Sequence, residues 1–417
     1  MPQSKKVSMA APDRISALPD AVLQHVLTFL QAKEAAQSCV LARRWLHLWK
    51  SLPVLRVTGG QVQESREFME HLLILRDRTP LDACILTFHR ASYDDMRYVM
   101  LWIRYALLCQ VRVLNVALSR AVFWQLSSAH LVSHNLTELK LDHVSVGDNF
   151  LDFSNCPSLE ELRMTECFIH SDWISSPSLK SLSIVDCYLS EETRIGISAP
   201  GLISLQIISF VGAIPLLEDM PGLVTAAVTF GDGCGDSSVR LEEREMVCDD
   251  TSCECCHGNN YCGDACCECC YGLSDASNAG CVLLNGLSAA TNLNLVAESE
   301  VFIIRKDLRQ CPTFSNLKTL FLNGWCVAAD QHALICILQH SPVLENFTLQ
   351  LSETPEGSYA MKTTYNLLEQ QFASENFKKV LVICPYVDQR VHNILKSLST
   401  YGIPPQKIYI KTDKEII

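Results

Sequence analysis

One repeated pattern limits what this chain can become. LTELKL from Leu136, LEELRM from Leu159, LKSLSI from Leu179, LISLQI from Leu202 and LKTLFL from Leu317 follow L-x-x-L-x-L, with Met or Ile accepted at the last place. LENFTL from Leu344 is a sixth, with Phe347 replacing one leucine. The first four start 23, 20 and 23 residues apart. A unit of that length holds one short strand and cannot bury its apolar side alone, so successive units must stack. Cys156-Pro157, Ser176-Pro177, Ala199-Pro200 and Met220-Pro221 each read as standing just before a repeat strand.

Strand geometry also predicts a second face. Side chains alternate along a strand, so the residue between the last two apolar positions points away from the leucines. These positions are Lys140, Arg163, Ser183, Gln206, Phe321 and Thr348, flanked by Glu138, Glu161 and Asn346. They form the candidate recognition row. Leu81–Phe88 and Val111–Leu118 predict earlier strands, and Leu293-Asn294-Leu295 a later one. Val380–Ile383, a helix around Gln389–Ser397 and Ile408–Ile410 predict a strand–helix–strand end, which would cap the open sheet.

The N-terminus has helical periodicity instead. Val22, Leu23, Val26, Phe29 and Leu30 recur at three- and four-residue spacing after Pro19. A second helix is expected over Lys33–Leu41 and a third over Arg43–Ser51, ended by Pro53. Three short helices bury little surface alone and call for a partner.

Leu18-Pro19, Phe29-Leu30, Val40-Leu41, Arg43-Arg44-Trp45 and Leu48-Trp49 stand at spacings that resemble the F-box of plant F-box/leucine-rich-repeat proteins. The resemblance implies an α/β fold: a three-helix F-box, an irregular leucine-rich-repeat solenoid and a strand-helix-strand C-terminal cap. It places the F-box at 14–57, a linker or helix at 58–80, the repeats at 81–352 and the capping region at 353–417. It also implies docking to a Skp-type adaptor, and through it a cullin scaffold, by Leu18, Pro19, Val22, Leu23, Val26, Leu41 and Trp45. Gln37, Ala42 and Leu46 depart from the family pattern. Residues 1–57 carry eight Lys and Arg against three acidic residues, which suits an acidic partner.

The net charge of −12 argues against general nucleic-acid binding, which needs clustered cations. No apolar leader is visible over Met1–Ala11, and the uncharged stretch Ile195–Leu217 is too rich in Pro, Gly and Ser for a membrane helix. A cytoplasmic or nuclear location is expected. Between Gly231 and Asp275 stand 11 acidic residues against Arg240 and Arg244, so this segment supplies most of the charge. It reads as an insert at 231–275.

Nine of the 21 cysteines fall between Cys248 and Cys270. Cys253, Cys256, Cys266 and Cys269 have zinc-ligand spacing, though the overlapping pairs also suit an acidic loop without metal. Apart from that candidate zinc, no cofactor is implied. Cys39, Cys84, Cys109, Cys156, Cys167, Cys187 and Cys336 sit among apolar neighbours and read as small buried hydrophobes. No catalytic constellation stands out. The leading expectation is a non-catalytic substrate receptor of a ubiquitin ligase, bound to an unknown protein target. The second is a metal- or redox-responsive binding protein centred on the insert.

Overall fold

The computed structural model describes residues 15, 18–119, 125–126, 131–147, 150–190, 193–234, 281–297, 304, 307–308, 310–327, 331–352 and 376–412. The chain divides into two compact units, Met1–Val122 and Phe123–Ile417.

The first unit begins with α1 (Asp20–Leu27) and α2 (Ala32–Gln37), followed by 3-10 turns at Ser38–Val40, Arg43–Leu46 and Leu48–Ser51. The third expected helix is thus two tight turns, and the second ends earlier than its apolar pattern predicted. Leu23, Leu27, Ala35, Trp45, Leu48 and Leu52 pack into one small core. Arg44 Nε donates to Asp20 Oδ1 at 2.7 Å, tying the third segment back to α1.

The stretch expected as a linker or helix holds the end of a strand and then a helix. Strand β1 (Val54–Gln61) runs straight into helix α3 (Val62–Leu75). Leu55 and Val57 alternate into the interior, and Glu64 accepts from the Gln61 amide in a reciprocal cap at the helix start. Strands β2 (Ala83–Arg90) and β3 (Val113–Leu118) follow, with α4 (Met96–Leu108) between them. β1, β2 and β3 pair in parallel, and Cys84, Leu86, Phe88, Leu114, Val116 and Leu118 are buried.

The second unit is built on a large parallel sheet. Its strands are β4 (Glu138–Asp142), β5 (Glu161–Thr165), β6 (Ser181–Val185), β7 (Ser204–Gly212), β8 (Thr225–Cys234), β9 (Asn292–Val296), β10 (Thr319–Asn323), β11 (Asn346–Gln350), β12 (Lys379–Cys384) and β13 (Ile408–Thr412). Each pairs with the next in sequence order. The motif's apolar positions are buried throughout, from Leu136, Leu139 and Leu141 to Leu344, Phe347 and Leu349. β8 continues to Cys234, so the sheet takes the first four residues assigned to the acidic insert.

The period extends beyond the strands. His143, Glu166, Asp186 and Ser209 all have φ between 50° and 54°, and each lies seven residues after the first leucine of its motif. At His143, Glu166 and Asp186 this left-handed residue turns the chain into short strands at Ser145–Val146, Phe168–Ile169 and Tyr188–Leu189, which form a second parallel ladder. Trp173–Ser175, Gly196–Ser198 and Leu216–Leu217 form a third. Amides of Leu159, Leu202 and Leu223 then donate to the carbonyls of Cys156, Ala199 and Met220. Cys156-Pro157, Ala199-Pro200 and Met220-Pro221 are therefore turns with proline at the second position, where its fixed φ fits.

The expected end is present as β12, helix α6 (Gln389–Thr400) and β13. Val391, Ile394 and Leu398 are the buried face of α6, and Asp388 Oδ1 accepts from the Val391 amide to start it. No helix among the described residues is long and apolar enough to cross a membrane.

Candidate functional site

The helical module exposes one apolar face. Leu18, Val22, Val26 and Phe29 follow one side of α1, and Leu30, Val40, Leu41 and Leu46 add to the exposed apolar surface. Phe29 is 70%, Val40 82% and Leu41 68% exposed, which is unusual for side chains of this size. Leu18, Pro19, Val22, Val26 and Leu41 of the expected docking set are exposed. Leu23 and Trp45 differ from the rest of that set: at 1% and 7% exposure they pack in the module's own core. Helical spacing explains it, because Leu23 and Leu27 share the inward face while Val22 and Val26 share the outward one. Phe29, Leu30, Val40 and Leu46 were absent from the expected set, although carrying the helix face onward from Val22 and Val26 leads to Phe29.

The candidate recognition row is assembled in register. Lys140 pairs with Arg163, Arg163 with Ser183, and Ser183 with Gln206. The row continues through Ala227 and Asn294 to Phe321 and Thr348, then Leu381 and Tyr409. Ala227 and Asn294 were missed because their strands lack the complete leucine motif.

Charge on the row is locally compensated. Lys140 pairs with Glu138, and Arg163 Nη2 lies 3.5 Å from Glu161 Oε1, each partner being two residues earlier on the same face. This is a mixed polar surface, not a basic one. Ser183 is the buried member of the row: it is 5% exposed and donates to Gln206 Oε1 at 3.0 Å. Its small side chain is covered by longer neighbours, and it positions Gln206. Phe321 and Thr348 are half-buried.

Cys84, Cys109, Cys156, Cys167, Cys187 and Cys336 are buried as expected, whereas Cys39 is half-buried. Burial pushes the Cys84 thiol up to about 12, as expected of an inert packing residue. Cys187 and Cys336 shift the other way. Cys336 is lowered to about 6, chiefly by a hydrogen bond from Cys311, against desolvation and with His340 assisting. Cys253, Cys256, Cys266 and Cys269 lie outside the described residues.

Residues 15–56 match the F-box domain family model, the same stretch that carries the exposed apolar face. The N-terminal module is therefore an F-box domain. Among curated relatives, an F-box/LRR-repeat protein of Arabidopsis thaliana is 35% identical over 95 residues, covering 18% of this chain and 20% of that protein. A putative F-box/LRR-repeat protein of the same plant is 30% identical over 172 residues, covering 40% and 35%. A putative FBD-associated F-box protein is 30% identical over 257 residues, covering 54% and 58%. The chain thus spans from a fifth to under three fifths of the length of these relatives. Over part of its length the chain is similar to F-box/LRR-repeat proteins of this plant.

Proposed function

We propose that this chain is the substrate-recognition subunit of a Skp–cullin–F-box ubiquitin ligase, working in the cytoplasm or nucleus. The observation that carries it is the F-box domain with its apolar face uncovered. Leu18, Val22, Val26, Phe29 and Leu41 would fill an adaptor's groove, with Pro19 beside them, and the adaptor would join the chain to a cullin. Leu23 and Trp45 would act indirectly, by holding α1 in place.

The parallel ladders would continue as a leucine-rich-repeat solenoid, with the strand–helix–strand region over 379–412 as its cap. Its row from Lys140 to Thr348 would hold a protein target. The chain itself performs no chemistry in this scheme. Tethering raises the concentration of target lysines near the conjugating enzyme. The cysteine insert is a separate candidate zinc site, supported by spacing alone.

The row is tested by affinity purification from plant extract with an F-box-deleted chain, which retains targets that the ligase would otherwise consume. Lys140→Glu with Arg163→Glu should reduce capture of the recovered target at least tenfold while leaving adaptor binding by the intact chain unchanged. Undiminished capture would move recognition off the row.

A further inference from the structure

Cys311, Cys336 and His340 belong to neither surface. Cys311 stands in the segment that enters β10; Cys336 lies on helix α5 (His332–Gln339), and His340 follows directly after it. The four-residue spacing puts Cys336 and His340 on one helical face, and Cys311 meets them from 25 residues earlier. One ligand atom from each lies within 4.8 Å of the other two. Cys336 Sγ is 3.9 Å from His340 Nδ1. That nitrogen also donates to the Cys336 carbonyl at 2.8 Å, a bond that an ion bound through it would have to replace. Cys336 is buried, while Cys311 and His340 are half-buried, leaving a path for an ion.

Cys84 is fully buried in the first unit as a small hydrophobe. Here two thiols and an imidazole converge from separate segments. From zinc–sulfur and zinc–nitrogen bonds of about 2.3 and 2.0 Å, tetrahedral geometry sets ligand atoms roughly 3.5–3.8 Å apart. The group needs to contract by about 1.3 Å at most to satisfy these distances. Soft thiolates with imidazole select zinc over the hard cations.

We infer that Cys311, Cys336 and His340 form a zinc site that ties the approach to β10 to the helix that follows it. Zinc binding releases the two thiol protons to solvent, so the ion's double charge is balanced by two thiolates and His340 binds neutral. The fourth position falls to water. This site is distinct from the insert, whose cysteines lie elsewhere in the sequence.

The test uses full-length protein with all nine cysteines between Cys248 and Cys270 changed to serine. Purified under reducing conditions and supplied with zinc, it should retain about one equivalent by mass spectrometry of metals. Cys311→Ser, Cys336→Ser or His340→Ala added to that background should each remove most of it. Cobalt in place of zinc should give thiolate charge-transfer bands in the nine-serine protein, lost with Cys311→Ser. Because Cys336 is buried, circular dichroism accompanies each variant, and half-buried Cys311 and His340 decide the case if Cys336→Ser unfolds. No metal in the reduced nine-serine protein would overturn the site. So would an equivalent that survives both Cys311→Ser and His340→Ala.

Discussion

Trp45→Ala should damage the F-box from within instead of removing a surface contact. The indole is 7% exposed and packs with Leu23, Leu27, Ala35, Leu48 and Leu52, themselves between 1% and 7% exposed. Burying roughly 200 Å² of aromatic surface at about 25 cal/mol per Å² contributes on the order of 5 kcal/mol. Large-to-small changes of this kind cost about 3–5 kcal/mol. This cluster has six buried members among the described residues, so it has little reserve. Amide hydrogen exchange across Asp20–Leu27 should therefore accelerate by more than about a hundredfold, the equivalent of roughly 3 kcal/mol. Val22→Ala, at 42% exposure, should leave the same amides nearly unchanged. If Trp45→Ala keeps wild-type protection in α1 yet loses the adaptor, the ring is a direct contact and this assignment is wrong.

Two further outcomes test the repeat architecture. Ser209 is exposed with φ 54°, so Ser209→Gly should relieve left-handed strain and stabilise the second unit by about 0.5–1 kcal/mol in urea unfolding; a destabilised variant would contradict it. Asn323 donates to the Ala297 carbonyl at 2.7 Å and accepts from its amide at 2.9 Å, so Asn323→Ala should cost about 2 kcal/mol by the same assay, and no measurable loss would show that solvent replaces both bonds.

The strands were legible because one-sided burial leaves a signature in sequence. Leu136, Leu139 and Leu141 alternate at strand spacing, and that alternation also defines Lys140 as facing the other way. The row's register followed because equal motifs pair at equal positions. Its full composition was less legible: Ala227 and Asn294 sit on strands whose leucines have been partly replaced. Ser183 looked exposed because periodicity specifies a face but not the height of its neighbours, and Gln206 covers it. The left-handed turn was hidden for a chemical reason. His143, Glu166, Asp186 and Ser209 share a backbone conformation but no residue type, and none is glycine, the usual marker of positive φ. In the F-box, motif spacing located the module correctly. It could not separate Leu23 from Val22, since an apolar residue within the motif serves equally as core or contact. Helical phase makes that distinction.

The central claim is that the uncovered face of α1 docks an adaptor, and calorimetric titration of a purified Skp-type adaptor against the intact chain measures it directly. Wild-type protein should bind one adaptor per chain. Val22→Asp with Val26→Asp places two charges on side chains that are 42% and 48% exposed in the free protein, so the variant should stay folded. Burying those charges in an apolar groove without partners should weaken binding by at least a hundredfold. Affinity unchanged in a folded double variant, or no binding by the wild type, would contradict the account.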